Sequence, residues 1–485
     1  MMGRRAASRV AWLSHAPVVL LVLTVTVAAF SPALDGEFLN WDDEKNFLEN
    51  PSYRGLGEEN LAWMFSSLHM GHYQPLSWVT LGLDYELWGM SPRGYHRTSL
   101  IWHAVNVLLF FAVVIAVLSR CPGLERLPQS SFRFAAAAGA LVFGIHPLRV
   151  ESVAWITERR DVVAGAFFLL TILAYLKAVS ARAGRRALWW GVAILAFALS
   201  LLSKAWGMTL PVVLLLLDIY PLGRWASESR RRLIFEKVPF MILASGAAMV
   251  AALAQGHAEA IYTWDEHGLG DRLLQAGYGL GFYLYKTLWP FSLSPLYPLE
   301  TPLDWSRTSY WLGAGVAVLI SGLAWHFRRT LPALATSWFA YVIIVSPVLG
   351  LAQSGPQIAA DRYTYLAGLP WAVLGAGALL WLTQRRRWRL PLIVGSAAIL
   401  VALAVLTYSQ SRVWRSSERC GSTLSNVNRR ASSPNTTWGA STRRGEQSGE
   451  PSRTTVRRET CARKTSKSAR TWEPCSASRA SSSRP

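Results

Sequence analysis

Little of this chain is charged, and almost none of it is cysteine. Only 16% of its 485 residues are Asp, Glu, Lys or Arg, and four are Cys. Cys121 falls in a short loop, and Cys420, Cys461 and Cys475 lie towards the C-terminal end. Neither a metal-ligand spacing nor a disulfide framework is visible in that set. Acids are scarcer than bases, at 29 against 49, which gives a net charge of +20. A repeat of fixed period is also missing, which excludes a solenoid. What is abundant is apolar: 52% hydrophobic residues, 23 tryptophans and a mean hydropathy of +0.23.

That excess is organised in runs of about 17–22 residues, the length that crosses a bilayer. Spans are expected at 16–34, 99–118, 134–148, 162–179, 187–203, 206–222, 238–255, 309–326, 331–351, 363–383 and 391–408. The third is short and rich in Ala and Gly. The first follows Arg4, Arg5 and Arg9, as a signal peptide would, but shows no convincing cleavage site and is expected to be retained. The expected fold is therefore all-α: a polytopic membrane protein of about eleven transmembrane helices over residues 1–410. Residues 411–485 are rich in Ser, Thr, Arg and Gly, without apolar periodicity, and are expected to form a disordered tail.

Charge sets the expected orientation. With the N-terminus in the cytoplasm, the inner segments carry 21 Lys+Arg against three acids, Glu125, Glu228 and Glu236. This bias predicts an inner-membrane protein with its N-terminus cytoplasmic and its C-terminus outside. It holds if 271–290, an apolar stretch carrying Arg272 and Lys286, lies in the interface instead of crossing. The tail from Ser411 has 16 Lys+Arg and five acids, or +11. The rest of the excess is mostly inner-loop charge, so nucleic acid is not an expected partner.

The remaining polar residues crowd the outer boundary, in loops at 35–98, 148–161, 256–308 and 352–362. Asp42 and Asp43, between Trp41 and Glu44, stand just past the first span. Acids beside a membrane helix are costly unless they serve a purpose. One held at the membrane–water boundary can activate a soluble hydroxyl against a lipid-linked substrate. A solvated acidic loop is the competing reading. The same loop holds Tyr73-Gln74-Pro75-Leu76. Beyond it, His96, His103 and Asn106 share one helix face, where interhelical hydrogen bonds are favoured over a metal, since no third ligand is evident.

The second outer loop carries His146, Glu151 and the run Glu158-Arg159-Arg160-Asp161. Guanidiniums there can bind a phosphate that carboxylates help to orient, or the four can be salt bridges anchoring a helix end. Lys204, Lys286 and Arg362, the last between Asp361 and Tyr363, each sit at an outer helix mouth and can snorkel. Together they describe a basic pocket for a lipid phosphate, opposed by a carboxylate base. A transporter would place charges near mid-span in two matching halves. A non-catalytic membrane scaffold stays open.

In order along the chain, these pieces resemble the polytopic GT-C glycosyltransferases. They are most similar to bacterial relatives of the transmembrane-and-TPR-containing O-mannosyltransferases. The resemblance runs over about 38–415. It rests on Trp41-Asp42-Asp43, on the Tyr73 to His96 block, on His146-Pro147 with Glu151-Ser152-Val153-Ala154-Trp155, and on Glu158 to Val162. Leu202-Ser203-Lys204, Trp289-Pro290, Tyr297-Pro298, Ala360 to Tyr365 and Ser411 to Arg415 complete it. It implies an outward-facing site, a polyprenyl-phosphate-linked sugar, a protein or glycan hydroxyl as acceptor, and inversion at the anomeric carbon. Asp42 and Asp43 match the acidic pair that supplies the base. Glu158 to Asp161 match the second-loop charge cluster, and Lys204 and Arg362 match basic positions facing the donor phosphate. No cofactor is expected; a divalent metal stays open. After Arg415 the resemblance leads one to expect helical TPR repeats, and the Ser/Arg-rich sequence found there reads as a lost frame.

Overall fold

The computed structural model describes residues 16–258 and 261–431. Arg4, Arg5, Arg9 and residues 432–485 of the expected tail lie outside that range. Among the described residues, seven helices are long and apolar enough to cross a membrane: Ala16–Asp35, Pro92–Leu118, Ile156–Ser180, Ala183–Ser203, Val238–His257, Thr308–His326 and Arg386–Val413. Two bent pairs raise the number to nine, and Ala205–Ile219 and Pro332–Val348 are shorter apolar helices. All eleven expected segments are thus helical, but two are too short and two are broken. The chain is a multi-pass helical membrane protein.

Both breaks have a covalent cause. Gln129–Gly144 and Pro147–Ala154 meet at 56°, and Asp361–Ala367 and Leu369–Leu382 at 54°. Pro147 opens one second half, and Pro370 stands in the first turn of the other. Proline lacks the N–H that would continue the preceding helix and fits best in a first turn, where that N–H has no partner to lose. The Ala- and Gly-rich half, Gln129–Gly144, packs deep in the bundle. A Cβ on Gly139 would stand 3.0 Å from the Ala376 Cβ and 3.2 Å from the Ala372 carbonyl oxygen. Small residues let these two helices approach closely, the usual device where lipid gives no hydrophobic drive.

Ile156–Ser180 is the axis of the molecule: 72% of its apolar window is buried, against 11% for Arg386–Val413. Its first turn carries the Glu158–Asp161 run, so that charge cluster sits at the end of the best-packed helix.

The first loop is no solvated ribbon. Phe47, Tyr53, Met64, Trp78 and Tyr95 form a second core that closes on Ile156. The helices Glu58–Ser66 and Pro75–Trp88 build its walls. This apolar plug holds the Asp42–Asp43 segment against the start of the axial helix.

The stretch 271–290 is a helix, Leu269–Leu288. Near its start, Arg272 donates to the Leu351 carbonyl; near its end, the Tyr283 hydroxyl accepts from the Ala360 amide. Both partners lie in the one connection before Asp361, so the helix runs along that connection on the site's side of the bundle. An antiparallel pair, Tyr297–Pro298 with Gln357–Ala359, ties the following loop to the same connection.

Part of the expected tail is ordered. The last span runs on to Val413, Trp414 is buried, and a helix follows at Ser417–Ala431. Trp414 stacks on Trp155 with ring centroids 5.6 Å apart and meets Trp41 edge-on at 6.0 Å. The Glu37 amide donates to the Arg415 carbonyl, and the Asn40 amide to the Ser417 hydroxyl. Composition hid this because the anchoring contacts are aromatic and backbone, independent of helical periodicity.

Candidate functional site

Neighbouring residues in the sequence part company in space. Asp43 is fully buried. Its Oδ2 accepts from the Leu39 amide at 2.9 Å, and its Oδ1 accepts from the Thr157 amide at 3.0 Å and the Thr157 hydroxyl at 2.6 Å. Burial pushes its carboxyl up to about 7, against the lowering pull of those hydrogen bonds. Asp43 therefore pins the first loop to the axial helix. Asp42 is only partly buried and has no hydrogen-bond partner among the described residues. Burial raises its pKa, while the Arg160 and Arg362 guanidiniums facing it pull the other way.

Arg159 and Arg160 diverge as well. Residues one apart on an α-helix point about 100° apart, since 3.6 residues make a turn. Arg159 turns into the first loop, 2.7 Å from buried Asp84, and donates to the Ser99 hydroxyl and the Tyr95 carbonyl. The Arg159 guanidinium is thus a buried strut between the axial helix and the first loop. Arg160 turns towards Asp42 and grips Glu158 through Nε at 3.1 Å and one terminal nitrogen at 2.7 Å.

Glu158 is the hub. It also accepts from Lys204 Nζ at 2.8 Å and lies 3.3 Å from the Arg362 guanidinium. Lys204 bridges to Asp161 at 2.6 Å, and Asp161 accepts from the Ser152 hydroxyl. Arg362 pairs with Glu151 and also donates its backbone amide to it. Three cations thus meet three carboxylates, with Asp42 as an additional acid. A guanidinium has five N–H groups and an ammonium three, so each cation keeps donors beyond these pairs.

The other expected residues stand around this cluster. Lys286 donates to the Phe291 and Ser292 carbonyls; burial lowers its pKa and Asp361 counters that. Asp361 accepts from the Tyr297 hydroxyl at 3.0 Å. Tyr363 lies under the Arg362 guanidinium, 5.0 Å from it. His146 caps the helix break, bound to the Leu148 amide and the Thr287 carbonyl. His103 bridges Tyr365 and Gly144, and Asn106 donates to Tyr365 and Val162, so both join helices. His96 is buried against Gly36, where a Cβ would stand 2.5 Å from its Nε2. Tyr73 bonds locally to the Phe65 carbonyl, and Glu44 is exposed on the turn beyond Asp43. Among the described residues, no group of three or more His, Cys, Asp or Glu is placed to hold a metal ion.

With Asp42, Arg160, Glu158, Lys204 and Arg362 gathered at one end of the axial helix, comparison with known proteins becomes informative. The chain is similar in sequence to protein O-mannosyl-transferases. Protein O-mannosyl-transferase TMTC4 of Homo sapiens is 24% identical over an alignment of 471 residues, covering 82% of this chain and 60% of that protein. The Mus musculus TMTC4 aligns over the same shares at 24%. Protein O-mannosyl-transferase tmtc2 of Xenopus laevis is 34% identical over 150 residues, 30% of this chain and 16% of that protein. The chain thus spans about 60% of the length of the first two relatives. No family model matches it. Among solved structures, ArnT from Cupriavidus metallidurans bound to undecaprenyl phosphate aligns at 14% identity and a TM-score of 0.38, over 84% of this chain and 76% of that one.

Two residues at the cluster were missed by sequence reasoning. Thr157 supplies two of the three bonds to Asp43, and nothing in its local sequence marked it. His72 has Arg160, Lys204, Glu158 and Arg362 as electrostatic neighbours. The one available signal was Gly71 before it, whose φ of +75° marks a forced turn.

Proposed function

We propose that this chain transfers a sugar from a polyprenyl-phosphate donor to a hydroxyl acceptor on the extracytoplasmic face, with inversion. The names of its relatives point to a mannosyl unit and a protein hydroxyl. The observation that carries the reading is Asp42: a carboxylate without a hydrogen-bond partner, raised by burial, opposite two guanidiniums. In this reading Asp42 takes the acceptor's proton as the hydroxyl oxygen attacks the anomeric carbon. The bond from that carbon to the phosphate oxygen breaks on the opposite face. Arg160, Lys204 and Arg362 stabilise the charge that grows on the leaving phosphate. Asp43, Glu151, Glu158 and Asp161 hold those groups in place.

The test is transfer from a polyprenyl-phosphate mannose to a peptide hydroxyl in nanodiscs. Wild type should transfer, and Asp42→Asn should lose the activity while binding the donor; full activity in the variant removes the base. Orientation is tested by cysteines placed at Ser66 and Ser227. Ser66 should label from outside and Ser227 should not, and the reverse would put the site in the cytoplasm.

A further inference from the structure

His72 reaches the site by an unusual route. The backbone turns sharply before it, with Met70 at φ 50° and Gly71 at φ +75°. A non-glycine residue in the left-handed region persists only where its surroundings over-determine it. Here they do. Gln255, on Val238–His257, donates to the Gly71 carbonyl at 2.7 Å and lies 3.4 Å from His72 Nδ1. Ser354 in turn donates to the Gln255 side-chain oxygen. Gly71 sits so close to that helix that a Cβ would stand 2.9 Å from the Ala258 Cβ. On the far side, the Ser77 hydroxyl donates to the Ser203 carbonyl, which seats the loop beside Lys204.

With the Gln255 amide facing Nδ1, the imidazole proton belongs on Nε2, and no described residue accepts it. Arg160, Lys204, Arg362 and Glu158 are the charges that act most strongly on the ring; behind them Asp161 pairs with Lys204 and Glu151 with Arg362, while Gln255 and Ser354 add no charge. Burial and those cations hold His72 well below the usual histidine range, so it is neutral near pH 7. A neutral donor among cations suits an oxyanion, because it adds a directed hydrogen bond without adding another positive charge.

We propose that His72 Nε2–H is a contact residue for the phosphate of the lipid-linked donor, alongside Arg160, Lys204 and Arg362. This rests on the transferase reading above. It carries a consequence that a structural histidine would lack. A bound phosphate offsets the surrounding cations, so the ring's pKa rises when the site fills and returns when it empties.

The experiment uses the full chain in nanodiscs with farnesyl phosphate as probe and labelled histidine for NMR. In wild type the His72 ring should titrate about one unit higher with farnesyl phosphate than without it. His72→Ala should weaken binding roughly 10-fold or more, the scale of a hydrogen bond to a charged group. His72→Gln, which keeps an N–H, should recover part of that loss. The ring titration needs no variant, so a misfolded mutant does not block the test. An unmoved ring, with unchanged affinity in His72→Ala, overturns the contact and leaves the transferase reading standing. Failure of wild type to bind farnesyl phosphate overturns the donor site itself. Inorganic phosphate binding as tightly as farnesyl phosphate overturns the lipid source and leaves a free anion.

Discussion

The acid pair offers the sharpest test, because two adjacent aspartates are given different work. Asp42→Asn removes a charge but no hydrogen bond seen in the fold, so stability should change by no more than about 0.5 kcal/mol. Asp43→Asn forces an NH₂ against at least one of the buried N–H donors of Leu39 and Thr157. A hydrogen bond to a charged group contributes about 1.5–3 kcal/mol, and the stranded donor adds its own penalty. The expected loss is roughly 2–4 kcal/mol. For transfer the order reverses. Losing a positioned base costs about 10²–10⁴-fold, and 10²-fold alone is about 2.7 kcal/mol of barrier. Asp42→Asn should therefore be folded and inactive. Asp43→Asn should be unstable and, where folded, more active than Asp42→Asn. The assay pairs thermal unfolding in detergent with transfer from a polyprenyl-phosphate sugar. Wild-type transfer by Asp42→Asn, or equal instability of the two variants, refutes the division. A further check comes from pH. Asp43 has a folded pKa near 7, above its unfolded value of 3.8, so the stability tied to its protonated form is full below about pH 4 and lost by about pH 7. Between those limits wild type should lose stability relative to Asp43→Asn as pH rises.

Arg159→Ala should cost about 3–5 kcal/mol in unfolding experiments, because it strands the buried Asp84 carboxylate. Arg160→Ala should keep the first loop packed and instead raise the KM for donor; if Arg159→Ala is the variant that changes donor KM in a stable protein, the two roles have been exchanged. Gly281→Ala should destabilise by about 1–3 kcal/mol, since its Cβ would stand 2.6 Å from the Gly313 Cα on the neighbouring helix. Gly315→Ala, with open space around its Cβ, serves as the silent control in the same melt.

The spans were legible because burial in lipid imposes length and apolarity on contiguous residues. Breaks at Pro147 and before Pro370 were less so, since both prolines lie within otherwise apolar runs. The charges around Glu158 were legible as a group, because ionisable residues at a membrane boundary stand out. Their individual roles were not. Arg159 and Arg160 differ only in the direction set by helical rotation, and that depends on which face the axial helix turns to the first loop. Asp43 needed Thr157, over a hundred residues away, to be recognised as a pin. His72 needed Gln255 and the Met70–Gly71 reversal, and neither carries a charge or a spacing pattern. The ordering of 411–431 came from Trp414 and backbone bonds, which composition does not register.

The junction between Trp41, Trp155 and Trp414 also sets a timetable. The Asn40 amide waits for the Ser417 hydroxyl, 377 positions later in the chain. At synthesis rates of about 5–20 residues per second, that gap is roughly 20–75 s. Throughout it, the segment bearing Asp42 has emerged without its lid, with the Glu37 and Asn40 amides and one face of Trp41 unclaimed. The charge cluster around Glu158 can assemble by the time Arg362 is made; the wall behind Asp42 cannot. A nascent chain stalled before the last span would therefore carry every charged residue of the site and still lack the finished loop. On this ordering the segment bearing Asp42 gains its last contacts only as the final helix is laid in.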